Sequence, residues 1–277
     1  MTGLETESGQ HRIAPKLERV RVLANDRLAE GVGLLVLHAP YVAEHVRPGQ
    51  FVHLRIAEGT DFLLRRPFSV HRRDGGRIEL LYQVLGTGTR DLSLKAPGQE
   101  MDVVGPLGHG WTLPDDATHA LLVAGGLGSA PLGMLAEDLA ERGIAVVVAQ
   151  GAPTSQRLVG RGVFESVARR VEFATDDGSE GHHGFVTAIS EALLLAEDFD
   201  TVYVCGPEAM QRIVAAQAAD HGVYCEVSLE RLMACGIGAC LSCVVSTVHG
   251  LRRACVNGPV FCSADVIWDP SEVPPRH

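Results

Sequence analysis

Between residue 16 and about residue 111 apolar and polar positions alternate in short runs, at 17–26, 32–39, 51–57, 68–73, 78–85 and 100–107, with Pro, Gly, Asp and Asn between them. A period of two broken by turn formers predicts a small antiparallel barrel or sandwich. Around residues 113–117 the pattern changes. Apolar strands at 119–124, 145–150, 169–175 and 200–206 alternate with helical stretches at 131–143, 187–196 and 208–222, which predicts a parallel sheet covered by helices on both faces. After residue 224 the alternation gives way to a short cysteine-bearing tail. The expected division is a polar N-terminal tail (1–15), a β-barrel (16–114), a Rossmann-like unit (115–224) and the tail (225–277).

A chain of 277 residues suits two cores, and 46% apolar with 21% charged residues is globular usage. Net charge is −10, and the arginines are scattered rather than gathered in a stripe, so nucleic acid is not an expected partner. The uncharged run at 120–136 is shorter than the roughly 20 residues of a membrane span and is broken by glycines. No apolar signal core opens the sequence. A reducing, cytoplasmic compartment is expected, where seven cysteines, four of them clustered, point to metal rather than disulfides.

Four short motifs carry candidate chemistry. Gly125, Gly126 and Gly128 follow a strand and precede a helix, a turn whose amides can hold a pyrophosphate or simply make a tight connection. Cys205, Gly206 and Pro207 end the later strand, where parallel sheets bind ligands; the thiol is equally readable as a small buried hydrophobe. Arg66, Pro67, Phe68 and Ser69 lie on a barrel strand. Tyr82, Gly86, Gly88 and Thr89 follow, with glycine amides and a hydroxyl suited to the same anion that an arginine fork grips.

The tail holds Cys235, Cys240 and Cys243 in a C-x4-C-x2-C arrangement, the plant-type spacing for a [2Fe-2S] cluster, with Gly236 and Gly238 letting backbone pass close to sulfur. Cys255 is the expected fourth ligand and Cys262 its rival. Tetrahedral zinc is the structural alternative, though paired C-x2-C knuckles are lacking. Cys225 alternates with strand residues and reads as packing.

The order of these motifs from residue 63 to 210 resembles the ferredoxin-reductase superfamily. That resemblance implies FAD in the barrel, with Arg66 on its phosphate, Ser69 near the flavin N5, and Phe68 packing where many members carry tyrosine. Pro67, Tyr82, Gly86, Gly88 and Thr89 complete the implied FAD set. Gly125, Gly126, Gly128, Cys205, Gly206 and Pro207 would hold a nicotinamide nucleotide, and Ser69 and Cys205 are the candidate catalytic residues.

The stretch SLERLMACGIGACLSCVV with RRACVNGPVFCSADVIW resembles the electron-transfer subunits of class 1B dihydroorotate dehydrogenases. This implies an FMN-containing catalytic partner in a hetero-oligomer of pyrimidine biosynthesis, with electrons passing through [2Fe-2S] and FAD to NAD. NADP is the alternative, because no acidic residue follows the second strand of the Rossmann-like unit and Ser155 and Arg157 suit a 2′-phosphate. The loop 176–186 is expected to lie over the nucleotide, with His182 and His183 in solvent. The other readings are a reductase subunit of an oxygenase, hydrogenase or transhydrogenase complex, and a redox-sensing module without hydride transfer.

Overall fold

The computed structural model describes residues 13–57 and 62–269, so the first twelve residues of the expected N-terminal tail lie outside it. The first half forms β1 (Lys16–Ala29), β2 (Val32–His38), α1 (Pro40–His45), β3 (Phe51–Arg55), β4 (Arg66–Ser69), β5 (Arg72–Asp74), β6 (Arg77–Gln83), α2 (Thr87–Ser93) and β7 (Glu100–Leu107). Its seven strands make one antiparallel sheet in the order β4-β3-β7-β1-β2-β6-β5. Inward residues such as Val20, Leu35, Leu37, Leu54, Phe68, Ile78 and Val103 form a single core.

The predicted strand at 68–73 is two strands at opposite edges of that sheet. Only Val70 and His71 separate them. The amide of Val70 donates to Gln50 before β3 (3.1 Å), and that of His71 to Glu79 of β6 (2.8 Å), so these two residues draw the edges together into a barrel-like closure. The His71 ring is buried and turns outward to the other half of the molecule, with Nδ1 3.0 Å from the Ala130 carbonyl.

That half begins with β8 (His119–Gly125), α3 (Gly133–Glu141), β9 (Ala145–Ala152), α4 (Arg161–Val167), β10 (Arg170–Thr175) and β11 (His182–His183). It continues with α5 (Val186–Ala196), β12 (Thr201–Cys205), α6 (Glu208–Asp220) and β13 (Tyr224–Ser228). The sheet order is β11-β10-β9-β8-β12-β13, parallel throughout. Val123, Val147 and Val204 pack toward α5 and α6 on one face, while Leu122, Val148 and Tyr203 pack toward α3 and α4 on the other. Strand order reverses between β8 and β12, which opens a crevice at their carboxyl ends.

After β14 (Val244–Thr247) and β15 (Gly250–Arg253), a paired hairpin, β16 (Val260–Cys262) returns antiparallel to β13. Here the expected boundary at residue 225 moves. β13 is the last parallel strand of the sheet, so the excursion that carries the cysteines starts after Ser228 and is pinned at its far end by β16. Cys243, Val245 and Cys255 share the core of the α/β unit, and Cys225 is buried within β13 as packing. A segment with too little apolar area to fold alone is thereby given a wall to fold against. Among the described residues no helix is long and apolar enough to cross a membrane.

Asn25 locks α2 to the barrel: its Nδ2 donates to the carbonyls of Leu92 and Lys95 (both 2.9 Å), and its Oδ1 accepts from the Tyr82 hydroxyl (2.8 Å). Asn25→Ala leaves that buried hydroxyl without an acceptor. The expected result is a loss of about 1–3 kcal/mol in a urea titration, read as a lower midpoint at unchanged slope.

Candidate cofactor crevice and cysteine loop

The flavin-type motif and the glycine-threonine motif meet. Arg66 opens β4, and its guanidinium lies against Gly88: a Cβ built at Gly88 would sit 3.6 Å from Arg66 Nε. Arg66 Nη1 donates to the Leu64 carbonyl (2.6 Å), which fixes the fork beside the start of α2. The first intrahelical bond runs from the Arg90 amide to Gly86 (2.9 Å), so the amides of Thr87, Gly88 and Thr89 precede it and remain for an anion. Arginine and unspent amides together fit a phosphate.

Two expected contacts are placed differently. Thr89 Oγ1 accepts from the amides of Leu85 (2.9 Å) and Gly86 (3.2 Å), so the hydroxyl shapes the turn rather than reaching outward. Tyr82 is only 3% exposed, and its ring meets that of Phe68 edge-on (centroids 6.5 Å apart, 80°), standing behind the flavin-type motif. Burial and spacing look alike in sequence. Pro67 and Ser69 are part-exposed on β4, where Ser69 pairs with Phe51 of β3.

The glycine turn and the Cys-Gly-Pro turn also meet, at the switch point between β8 and β12. A Cβ at Gly128 would fall 2.0 Å from the Cys205 carbonyl, and one at Gly125 would fall 2.9 Å from Pro207 Cδ. Gly206 continues the seam, where a Cβ would fall 2.9 Å from Gly125 Cα, whereas Gly126 (φ +56°) faces open space. Glycines let the two turns approach this closely, at the switch point where doubly wound sheets take their ligands. Cys205 does not open onto it as an exposed reactive thiol. It is 2% exposed, its Sγ lies 3.9 Å from the Ser228 carbonyl, and burial, then the Glu230 charge, holds the thiol well above its ordinary range. Neutral and small, it serves by letting the turns close.

The loop after β10 reaches the loop after β9. Ser179 Oγ accepts from the Ser155 amide (2.8 Å), and Asp177 Oδ1 accepts from the Ser179 amide (3.0 Å) and hydroxyl (2.6 Å). These hydrogen bonds hold the Asp177 carboxyl below its ordinary range. An acidic group is therefore supplied beside Ser155 by the next strand's loop, which a search confined to the end of β9 misses. His182 and His183 are exposed, as expected.

In the cysteine loop, Cys235 Sγ accepts from the amides of Ala239 (3.2 Å) and Cys240 (3.4 Å), and Cys243 Sγ accepts from the Cys255 amide (3.5 Å). The Cys240 thiol is drawn down to about 6 by the Ser242 hydroxyl and amide, then by Cys235. Burial, then the neighbouring Cys243 thiol, pushes Cys255 up to about 12, with Cys235 acting on it as well. Cys235 thus adjoins Cys240, and Cys243 adjoins Cys255. Cys262 sits apart on β16, opposite Glu226. Among the described residues no three His, Cys, Asp or Glu side chains are grouped to share a single ion.

Gly236 has φ +70°, and a Cβ there would strike His53 of β3, 2.5 Å from Nδ1. Burial, then the charge of Arg65, lowers His53 to about 4, so the ring is neutral. Arg253 braces the loop from the other side, with Nη1 donating to the Gly238 carbonyl (2.8 Å).

Residues 230–267 match the iron-sulfur cluster binding domain of dihydroorotate dehydrogenase B. Over 260 residues, 92% of this chain and 99% of the other, the sequence is 40% identical to the dihydroorotate dehydrogenase B (NAD(+)) electron transfer subunit of Desulforamulus reducens. It is likewise 40% identical over 258 residues to that of Geobacillus kaustophilus, covering 90% and 98%. The chain belongs to this family of electron transfer subunits. Among solved structures, a chain of the NADH-dependent reduced ferredoxin-NADP oxidoreductase superposes with a TM-score of 0.82 at 33% identity, covering 90% of this chain and 89% of that one. The ferredoxin reductase of carbazole 1,9a-dioxygenase shares the fold at a TM-score of 0.64 and 20% identity, over 76% and 67% of the chains.

Within the family's cluster domain, Cys255 and Cys262 are both present, and the geometry separates them. Cys255→Ser is expected to abolish the iron and sulfide content and visible cluster absorption of the purified chain, with Cys262→Ser retaining both. Equal loss in the two variants would overturn the assignment.

Proposed function

We propose that this chain is an electron transfer subunit holding FAD against the barrel, [2Fe-2S] in the cysteine loop and NAD(H) at the switch point, and that it moves electrons between an FMN-containing dihydroorotate dehydrogenase subunit and NAD. The observation that carries the reading is the meeting of motifs: Arg66 with Gly88, Gly128 with Cys205, and Gly236 with His53, whose cross-strand partner is Pro67 of the flavin-type motif. The flavin-type motif, the glycine-threonine motif and the cysteine loop, far apart in sequence, adjoin one another through β3 and β4. When bound, flavin exchanges hydride with nicotinamide and single electrons with an iron-sulfur cluster.

This chain's own residues bind and orient. Arg66 and the first amides of α2 grip phosphate, and Ser69 at the end of β4 stands as the candidate contact to the flavin edge, with Phe68 in the barrel core behind it. Gly125, Gly126, Gly128, Gly206 and Pro207 set the depth at which a nicotinamide nucleotide lies, with Cys205 as the small group beneath the turn. Cys235, Cys240, Cys243 and Cys255 ligate the cluster. Residues 16–114 serve as the FAD unit, the parallel sheet as the NAD unit, and the segment after Ser228 as the cluster unit.

Asp177 supports NAD over NADP, since a carboxylate favours ribose hydroxyls and repels a 2′-phosphate. The partner reading rests on the family and on the apolar rim of the cysteine loop. Leu232 is 89% and Ile237 57% exposed there, with Leu241 nearby, more apolar surface than a solvated loop needs. We place the complex in the cytoplasm. A second reading, a reductase subunit of a different complex, draws on the similarity to the ferredoxin-NADP oxidoreductase chain, and copurification from the native host separates the two.

Anaerobic titration of the purified chain tests the core of the reading. NADH is expected to bleach flavin and cluster bands together, with NADPH much less effective. A colourless chain, or bands that neither nucleotide bleaches, would sink it. Arg66→Ala is expected to weaken FAD binding about 10- to 100-fold by fluorescence titration, the loss of one charge-assisted phosphate contact.

A further inference from the structure

His53 occupies the middle of β3, directly across from Pro67 of β4. A buried histidine on an apolar strand is ordinarily a satisfied core group. This one is not: the residue is 1% exposed, and neither Nδ1 nor Nε2 has a hydrogen-bond partner among the described residues. An imidazole in its neutral form always carries one N–H and one lone pair, and buried polar groups are almost always paired. Either ring nitrogen is therefore open to a partner.

The ring's surroundings identify it. Gly236, next to the ligand Cys235, packs so close that a Cβ would fall 2.5 Å from Nδ1, and the backbones of Cys235 and Arg65 face the ring. Arg65 directly precedes Arg66, so the imidazole stands between the cysteine loop and the strand of the flavin-type motif.

We propose that His53 is a positioning residue for electron transfer, whose ring N–H is donated to the cysteine loop at Cys235 when that loop holds its cluster. This rests on the [2Fe-2S] reading given above. His53 moves no proton and changes no oxidation state; it joins the loop to the flavin strand and places a donor beside the cluster's sulfur ligands. Donors near those sulfurs favour the reduced cluster and so raise its potential.

The test uses the full chain carrying FAD and cluster, handled anaerobically. His53→Leu keeps apolar volume and removes both nitrogens, and it is expected to lower the cluster's midpoint potential in a titration followed by electron paramagnetic resonance, with the flavin's unmoved. His53→Asn, which retains an N–H donor, is expected to restore most of the shift. In parent chain labelled with 15N-histidine, pulsed resonance of the reduced cluster is expected to show a 15N coupling that His53→Leu loses. A fully loaded His53→Leu with unchanged potential would overturn the proposal, as would a reduced parent cluster with no histidine coupling. Should His53→Leu fail to assemble, the coupling in the parent chain decides. A parent chain giving no iron-sulfur signal at all defeats the cluster reading itself, an outcome distinct from the other two.

Discussion

One buried imidazole joins the two halves of the molecule. His71 closes the barrel through its backbone and meets the α/β unit through its ring, against the Ala130 carbonyl and packed on Gly133 and Gly160. Burial, then Arg72 nearby, lowers it to about 4, so over the neutral range the contact is made by an uncharged ring. Everything proposed for the crevice depends on this contact. The flavin-type motif ends one residue before the His71–Val70 closure, and the turn after β8 ends where the ring bonds. A shift there would separate the faces between which hydride must pass over a short distance.

The second dependence is on close backbone approach. Gly128 against Cys205 and Gly236 against His53 are places where a side chain has been dispensed with so that two segments can touch. The first closes the switch point within the parallel sheet, and the second joins the cysteine loop to the barrel. Packing in such places is unforgiving, because the neighbour at Gly128 is backbone, which cannot rotate away as a side chain can.

Much of the architecture was legible in the order of apolar positions. Period two gave way to strands alternating with helices, and the glycine and Cys-Gly-Pro turns fall at the strand ends where a doubly wound sheet binds ligands. The cysteine spacing also pointed to Cys255, whose amide meets Cys243 Sγ, whereas Cys262 lies on β16 opposite Glu226. Other features were not legible for identifiable reasons. Helix α4 is a seven-residue stretch following a left-handed Gly160, too short for a period to register. β13 adjoins the cysteine segment with no turn to mark the join, so its pairing with β12 had to come from tertiary structure. Thr89 and Tyr82 occupy motif positions whose spacing says nothing of where a hydroxyl points. Asp177 and His53 act through neighbours distant in sequence, and a lone histidine on an apolar strand carries no local sign of being unpaired.

The cysteine loop is buried on one side only. Cys243 and Cys255 lie in the core of the α/β unit, while Cys240 is exposed among apolar neighbours that no part of the described chain covers. On the proposed reading, the edge through which electrons cross to the partner is also the edge that dioxygen reaches when the partner is away. The lifetime of the cluster in air then becomes a property of the assembly, and the separated subunit ages faster than the complex.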